Sequence, residues 1–300
     1  MVSMPLFKKI FFTSIIFFVF LLLLEGLLSL TPLILGFTQR GAYDQIMKGG
    51  STIICLGDSV TYGYGLEPEE SWPKQLELSI QKKGAQVSVI NRAVSGMDST
   101  EALQREARII QDIASKGSRP VVLLMIGHND LAGQGWRQWK ASPKEVSETS
   151  TVAPPRLWRI MRWATSQPKA SSWSNPERES RLKSNIKKLG IKVNNAGGQL
   201  YILTYLLPGS AKETNPRYAK DVDLSRALQG KGNDIMRTLS KEEDSLRLID
   251  INASIETPSQ WTSVWFQDHI HPTAMASALI AQSVQRHLVS YGELPISVLE

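Results

Sequence analysis

Beyond residue 51 the chain alternates short apolar runs with longer amphipathic stretches. The apolar runs at 52–56, 86–90, 121–126, 198–206 and 246–251 are rich in Val, Ile and Leu and read as strands. Between them, 71–84, 99–115, 181–195, 222–241 and 273–288 read as helices. In the first of these Trp72, Leu76 and Ile80 share one face and Gly84 is the stop. Strands apolar on both faces that alternate with helices predict an α/β domain, with about five parallel strands covered on both sides. Right-handed crossovers then bring the carboxyl ends of all the strands to one edge.

Two stretches break this rhythm. Residues 10–24 form a dense apolar run, interrupted by Glu25 and resuming to about Phe37, which is long enough to span a bilayer with some tilt. Lys8 and Lys9 on its short leading side favour a cytoplasmic amino terminus, although Arg40 and Lys48 follow the span and weaken the bias. A cleaved signal peptide is the rival reading. No small-x-small site closes the run, which favours an uncleaved anchor and a domain outside the cytoplasm. The expected organisation is a cytoplasmic tip and transmembrane helix over 1–37, with residues 10–36 in the membrane. A linker follows over 38–51, then the α/β domain over 52–292 and a carboxyl-terminal tail over 293–300. The second irregular stretch, 131–181, is rich in Ser and Pro and holds five of the eight tryptophans. Arg137, Arg156, Arg159 and Arg162 are interleaved with Trp136, Trp139, Trp158, Trp163 and Trp173. This insertion suits a buried helical elaboration, a membrane interface, a sugar-stacking surface or a lid. It leaves the predicted sheet at the same edge as the candidate residues below.

Composition narrows the possibilities. The 300 residues are 42% hydrophobic with a formal charge of +6, ordinary for a globular domain with a mild preference for anionic surfaces. Zinc-finger spacing, RNA-binding aromatic signatures and long Lys/Arg blocks are absent from the sequence, so no nucleic-acid partner is expected. Cys55 is the single cysteine; it cannot form an internal disulfide, and its apolar strand makes it an inert buried thiol.

The candidate chemistry lies at the strand ends. Gly57-Asp58-Ser59 follows the first strand, Gly96 the second, and Gly127-His128-Asn129-Asp130 the third. Asp268-His269-Ile270-His271-Pro272 follows the fifth. Taken alone, Asp58 and Ser59 could simply cap the next helix. Taken together, the loops offer a serine nucleophile in Ser59, a base in His271 and an orienting carboxylate in Asp268. Gly96, Asn129 and the N–H of Ser59 are candidate oxyanion donors. Asp58 and Asp130 fit supporting roles, bracing the nucleophile turn and the loop after the third strand. His128 could be a second base but reads as a loop residue near the site; His269 could assist but reads as solvent-facing or structural; His287 is expected at the surface. A metal site from Asp268, His269 and His271 lacks a further converging ligand, so neither metal nor cofactor is expected. Gly63-Tyr64-Gly65 lacks the third glycine and the setting of a nucleotide loop.

These four blocks, in this order over about residues 52–290, resemble the SGNH (GDSL-type) hydrolases. The resemblance implies a flavodoxin-like three-layer fold and metal-free hydrolysis or transfer of acyl esters. It also implies Ser59 as nucleophile, His271 as base, Asp268 as its partner, and Gly96 and Asn129 as oxyanion donors. The chain departs from the family pattern at Ala93 and at Met275-Ala276-Ser277, where glycine is frequent. The expected activity is a membrane-anchored serine esterase acting on acetyl or other short acyl esters of an envelope glycan or lipid. An O-acyltransferase using the same site is the alternative, and a non-catalytic scaffold is the alternative of another class.

Overall fold

The computed structural model describes residues 51–85, 87–115, 117–132, 175–212 and 219–299, together with Phe17, Val19, Phe20 and Leu23. Residues 45–133 and 171–300 belong to one compact unit, the α/β domain. Five parallel strands form its sheet: β1 (Ser51–Gly57), β2 (Val87–Asn91), β3 (Pro120–Met125), β4 (Gln199–Leu203) and β5 (Leu246–Ile249), in the order β2-β1-β3-β4-β5. β1 pairs with β3 from Thr52↔Pro120 to Gly57↔Met125, and with β2 from Ser51↔Val87 to Cys55↔Asn91. The order reverses at β1, so the connections leaving the neighbouring strands β1 and β3 run in opposite directions, which leaves a crevice above their carboxyl ends.

The helices are α1 (Ser59–Tyr62), α2 (Trp72–Lys82), α3 (Ser99–Ser115), α4 (His128–Ala132), α5 (Pro176–Asn195), α6 (Ala219–Glu242), α7 (Ile251–Ser254) and α8 (Ala274–Ser290). α2 packs against α8, and α3 against α5. The alternation of side chains along a strand explains the two layers. Ile53, Cys55, Val121, Leu123, Met125, Tyr201 and Leu203 join Trp72, Leu76, Ile80, Ile280, Val284 and Leu288 in one apolar cluster. Ile54, Leu56, Val122, Leu124, Leu200 and Ile202 alternate with them and are equally buried. Both faces of the sheet are therefore dry, as the unbroken apolar strands predict.

Several boundaries differ from expectation. α5 begins at Pro176 and not at 181, because the Asn175 side chain accepts from the N–H groups of Glu177 and Arg178 and Pro176 fits the first helical turn. β5 stops at Ile249 because Asp250 caps α7. The stretch expected as a tail packs into the domain: Leu294 and Val298 are buried, and Val298 O accepts from Gln285 Nε2 at 2.7 Å. Glu293 accepts from Tyr201 Oη at 2.7 Å and pairs with Arg119 at 2.6 Å, closing the amino-terminal side of the sheet. His287, expected at the surface, is half-buried with Nδ1 2.8 Å from Ser283 O.

The expected anchor and linker and the five tryptophans of the insertion lie outside the described residues, except four positions of the anchor and Ser51, which begins β1 and is not linker. Those four, Phe17, Val19, Phe20 and Leu23, are helical with exposed side chains. Among the described residues no helix is long and apolar enough to cross a membrane.

Candidate active site

Gly57 ends β1 where the chain has no room for a side chain. A Cβ there would lie 2.4 Å from Met125 O and 2.4 Å from Thr61 Oγ1. The chain turns directly into α1, capped by Asp58, whose Oδ1 accepts from Val60 N at 3.0 Å. Ser59 is the first residue of this short helix and stands at the sheet edge, 8% exposed. Gly63 ends α1 in the left-handed conformation at φ 86°.

His271 comes to Ser59 from the loop between α7 and α8. Its Nε2 is 2.9 Å from Ser59 Oγ, and its Nδ1 is 2.7 Å from Asp268 Oδ2. The spacing of three works through a turn. Asp268 Oδ1 accepts from the N–H groups of Ile270 and His271, each at 2.8 Å, so one carboxylate oxygen folds the loop while the other holds the imidazole. Partial burial alone raises the pKa of Asp268. The hydrogen bonds from the His271 ring and from the two backbone N–H groups outweigh it and hold the carboxyl well below the usual range. Trp261 Nε1 donates to Asp268 O at 2.9 Å, Phe266 bridges Pro272, and Thr273 Oγ1 donates to Val264 O at 2.6 Å.

The two remaining loops close the site. Val94 N donates to Gly57 O, and Met97 N to Val94 O, which sets a turn with Gly96 at φ 78°. Asn129, in α4, donates its Nδ2 hydrogens to Met97 O at 3.1 Å and to Asp58 Oδ2 at 3.3 Å. Both partners are acceptors, so turning the amide over would set Oδ1 against them; the orientation is fixed by its surroundings. The loops after β1, β2 and β3 thus meet at Asp58 and Asn129. Asp130 is fully buried and accepts from Ser99 N and, at 2.6 Å, from Ser99 Oγ, which ties α4 to the start of α3. His128 is buried and donates its N–H to Tyr205 Oη, while His269 is half-exposed.

Sequence reasoning passed over two residues near the site. The Tyr64 ring lies 4.6 Å from the His271 ring at 35°, and the residue is half-exposed. Gln267 anchors it by donating to Tyr64 O at 3.1 Å and to Pro272 O at 2.7 Å. Gly63 and Gly65, both with positive φ, make the tight turn that presents Tyr64. Tyr205, just beyond the end of β4, is buried and donates to Asp58 Oδ2 at 2.6 Å. Neither residue carries a motif, so only the fold could reveal them.

A hydroxyl, an imidazole and a carboxylate are thus hydrogen-bonded in series at the carboxyl edge of a parallel sheet, an arrangement able to support nucleophilic catalysis by a serine. Residues 55–279 match the GDSL-like Lipase/Acylhydrolase family, and the chain belongs to it. An arylesterase of Vibrio mimicus is 30% identical over 83 residues, which is 28% of this chain and 40% of that protein. The match therefore spans less than half of that relative. The solved structure of TesA superposes with a TM-score of 0.50 at 17% identity, over 79% of this chain and 98% of TesA, and has the same fold. The esterase EstA from Pseudoalteromonas sp. gives a TM-score of 0.49 at 18% identity, over 81% of this chain and all of EstA.

Proposed function

We propose that the protein is a carboxylic ester hydrolase that works through an acyl-enzyme on Ser59. The observation that carries this reading is the Ser59–His271–Asp268 series, at 2.9 and 2.7 Å. With Nδ1–H donated to Asp268, Nε2 is the lone-pair nitrogen facing Ser59 Oγ. Oγ attacks the ester carbonyl as its proton passes to Nε2, and the imidazolium is stabilised by Asp268. The tetrahedral oxyanion takes donors from Ser59 N, Gly96 N and Asn129 Nδ2. Collapse expels the alcohol, which receives the proton from Nε2. Water then attacks the acyl-enzyme, returns a proton through His271 and releases the acid, leaving Ser59 as it began.

The proposed substrate is an acetyl or other short acyl ester of an envelope glycan or lipid, cleaved outside the cytoplasm by a single-pass anchored enzyme. Support comes from the apolar run over 10–24 behind Lys8 and Lys9, and from Phe17, Val19, Phe20 and Leu23, helical with exposed apolar side chains. The test uses the full chain in detergent, wild type beside Ser59→Ala, on p-nitrophenyl esters from acetate to palmitate. Turnover that falls with chain length and drops by about three orders of magnitude or more in the variant is expected. Turnover that rises with chain length would replace short esters with lipids. No turnover in water, with acyl transfer to an added sugar, would replace the hydrolase with a transferase.

A further inference from the structure

We propose that Tyr205 is a positioning residue for the oxyanion hole: its hydroxyl occupies Asp58 and so leaves the Asn129 amide available to the reacting carbonyl. The inference rests on the hydrolase reading above and concerns a residue outside the four sequence blocks.

Asp58 is 1% exposed and stands between the nucleophile and the oxyanion donor. Its Oδ1 accepts from Val60 N. Its Oδ2 accepts from two groups of unequal strength, Tyr205 Oη at 2.6 Å and Asn129 Nδ2 at 3.3 Å. The first distance is that of a strong O–H donor on a carboxylate, and the second is long for an N–H donor on a charged acceptor. A buried carboxylate beside an oxyanion hole is a competitor: left bare, it draws the amide hydrogen that the transition state needs. The Tyr205 hydroxyl satisfies that oxygen and keeps the Asn129 contact loose, while the other Nδ2 hydrogen is on Met97 O at 3.1 Å.

The phenol is held for this task. Tyr205 N donates to Asn233 Oδ1 at 2.7 Å, Asn233 Nδ2 returns a bond to Tyr205 O at 2.9 Å, and both residues are buried. Its oxygen accepts from His128 N, the residue before Asn129, at 3.3 Å. One hydroxyl thus ties the loop of the nucleophile to the loop of the oxyanion donor. Burial, and then the neighbouring Asp58 carboxylate, push the pKa of the phenol well above its ordinary value, so it stays a donor.

The test is a double-mutant cycle on kcat and KM for p-nitrophenyl acetate with the full chain. Tyr205→Phe is expected to lower kcat by about tenfold to a hundredfold, less than loss of a whole oxyanion donor, with KM within about twofold. In an Asp58→Asn background the competing charge is gone, and adding Tyr205→Phe is expected to change kcat by less than about threefold. If the two losses multiply instead, Tyr205 does not act through Asp58 and the inference falls. The double variant buries no unpaired charge, so this comparison stands even where Tyr205→Phe alone fails to fold. A wild type that cleaves no ester sinks the hydrolase reading and leaves this one to NMR. Tighter bonding then moves the Asn129 side-chain amide protons downfield in Tyr205→Phe, and unchanged resonances overturn the inference.

Discussion

Asp268→Asn separates the two tasks of the Asp268 carboxylate. Oδ1 of the new amide keeps both backbone bonds, from Ile270 N and His271 N at 2.8 Å, so the loop holds its shape. The NH₂ group falls where Oδ2 stood, 2.7 Å from Nδ1, and sets donor against donor. The imidazole resolves this by accepting at Nδ1 and carrying its proton on Nε2. That proton then points at Ser59 Oγ, 2.9 Å away, and the ring cannot act as a base. The same exchange of tautomer in a serine-protease triad costs about 10⁴ in kcat, or about 5.5 kcal/mol of transition-state stabilisation. Little of this is a stability effect, because the Asp268 side chain is 35% exposed and its hydrogen bond to the ring is weakened by competing water. The assay is kcat and KM for p-nitrophenyl acetate beside a thermal melt. We expect kcat to fall by about four decades, with KM within about threefold and Tm within about 3 °C. A loss under tenfold in a variant that melts like the wild type would refute the role of the tautomer.

Three further outcomes follow from the geometry. Gly57→Ala forces a Cβ to 2.4 Å from Met125 O, so the β1 end must shift; a loss of about 1–3 kcal/mol is expected, seen as a Tm lower by several degrees, together with reduced kcat because Ser59 is two residues on. Leu124→Ala empties a site 1% exposed in the central sheet and should cost about 2–5 kcal/mol in urea denaturation with kcat per folded molecule unchanged; a loss under 1 kcal/mol would contradict the packing. Asp268 and Asp250 both titrate below their ordinary value in the folded chain. A carboxyl with a lowered folded value stabilises the fold above its unfolded value, about 3.9, and that contribution is lost as pH falls toward the folded value. Stability should therefore decline as pH drops below about 4, and less so in Asp250→Asn, by pH-dependent melts.

The parallel sheet and the meeting of Ser59, His271 and Asp268 at its edge were legible in the sequence for physical reasons. Strands buried on both faces carry unbroken apolar runs, and alternation with helices forces their ends to one edge, so Ser59, Asn129 and His271 meet without any long-range information. Element ends were less legible where side chains set them. Asn175-Pro176-Glu177 is a readable helix start, yet the Ser/Pro-rich stretch before it masked the signal. Glu293, Leu294 and Val298 look like a polar tail with scattered apolar residues, and only the partners Arg119, Tyr201 and Gln285 show that they belong to the core. Asp58 and Asp130 were placed as braces, but their partners Tyr205 and Ser99 lie 147 and 31 residues away and have no local pattern. Tyr64 was hidden because Gly63-Tyr64-Gly65 invites comparison only with a nucleotide loop, which it does not match; its contact with His271 depends on a loop more than two hundred residues later.

The central claim is that Ser59 is an activated nucleophile. It is tested most directly by treating the full chain with a fluorophosphonate and reading the intact mass and the labelled peptide. The account predicts a single phosphonyl adduct on Ser59, absent in Ser59→Ala and formed far more slowly in His271→Ala. No adduct, or one whose rate is indifferent to either substitution, would contradict it.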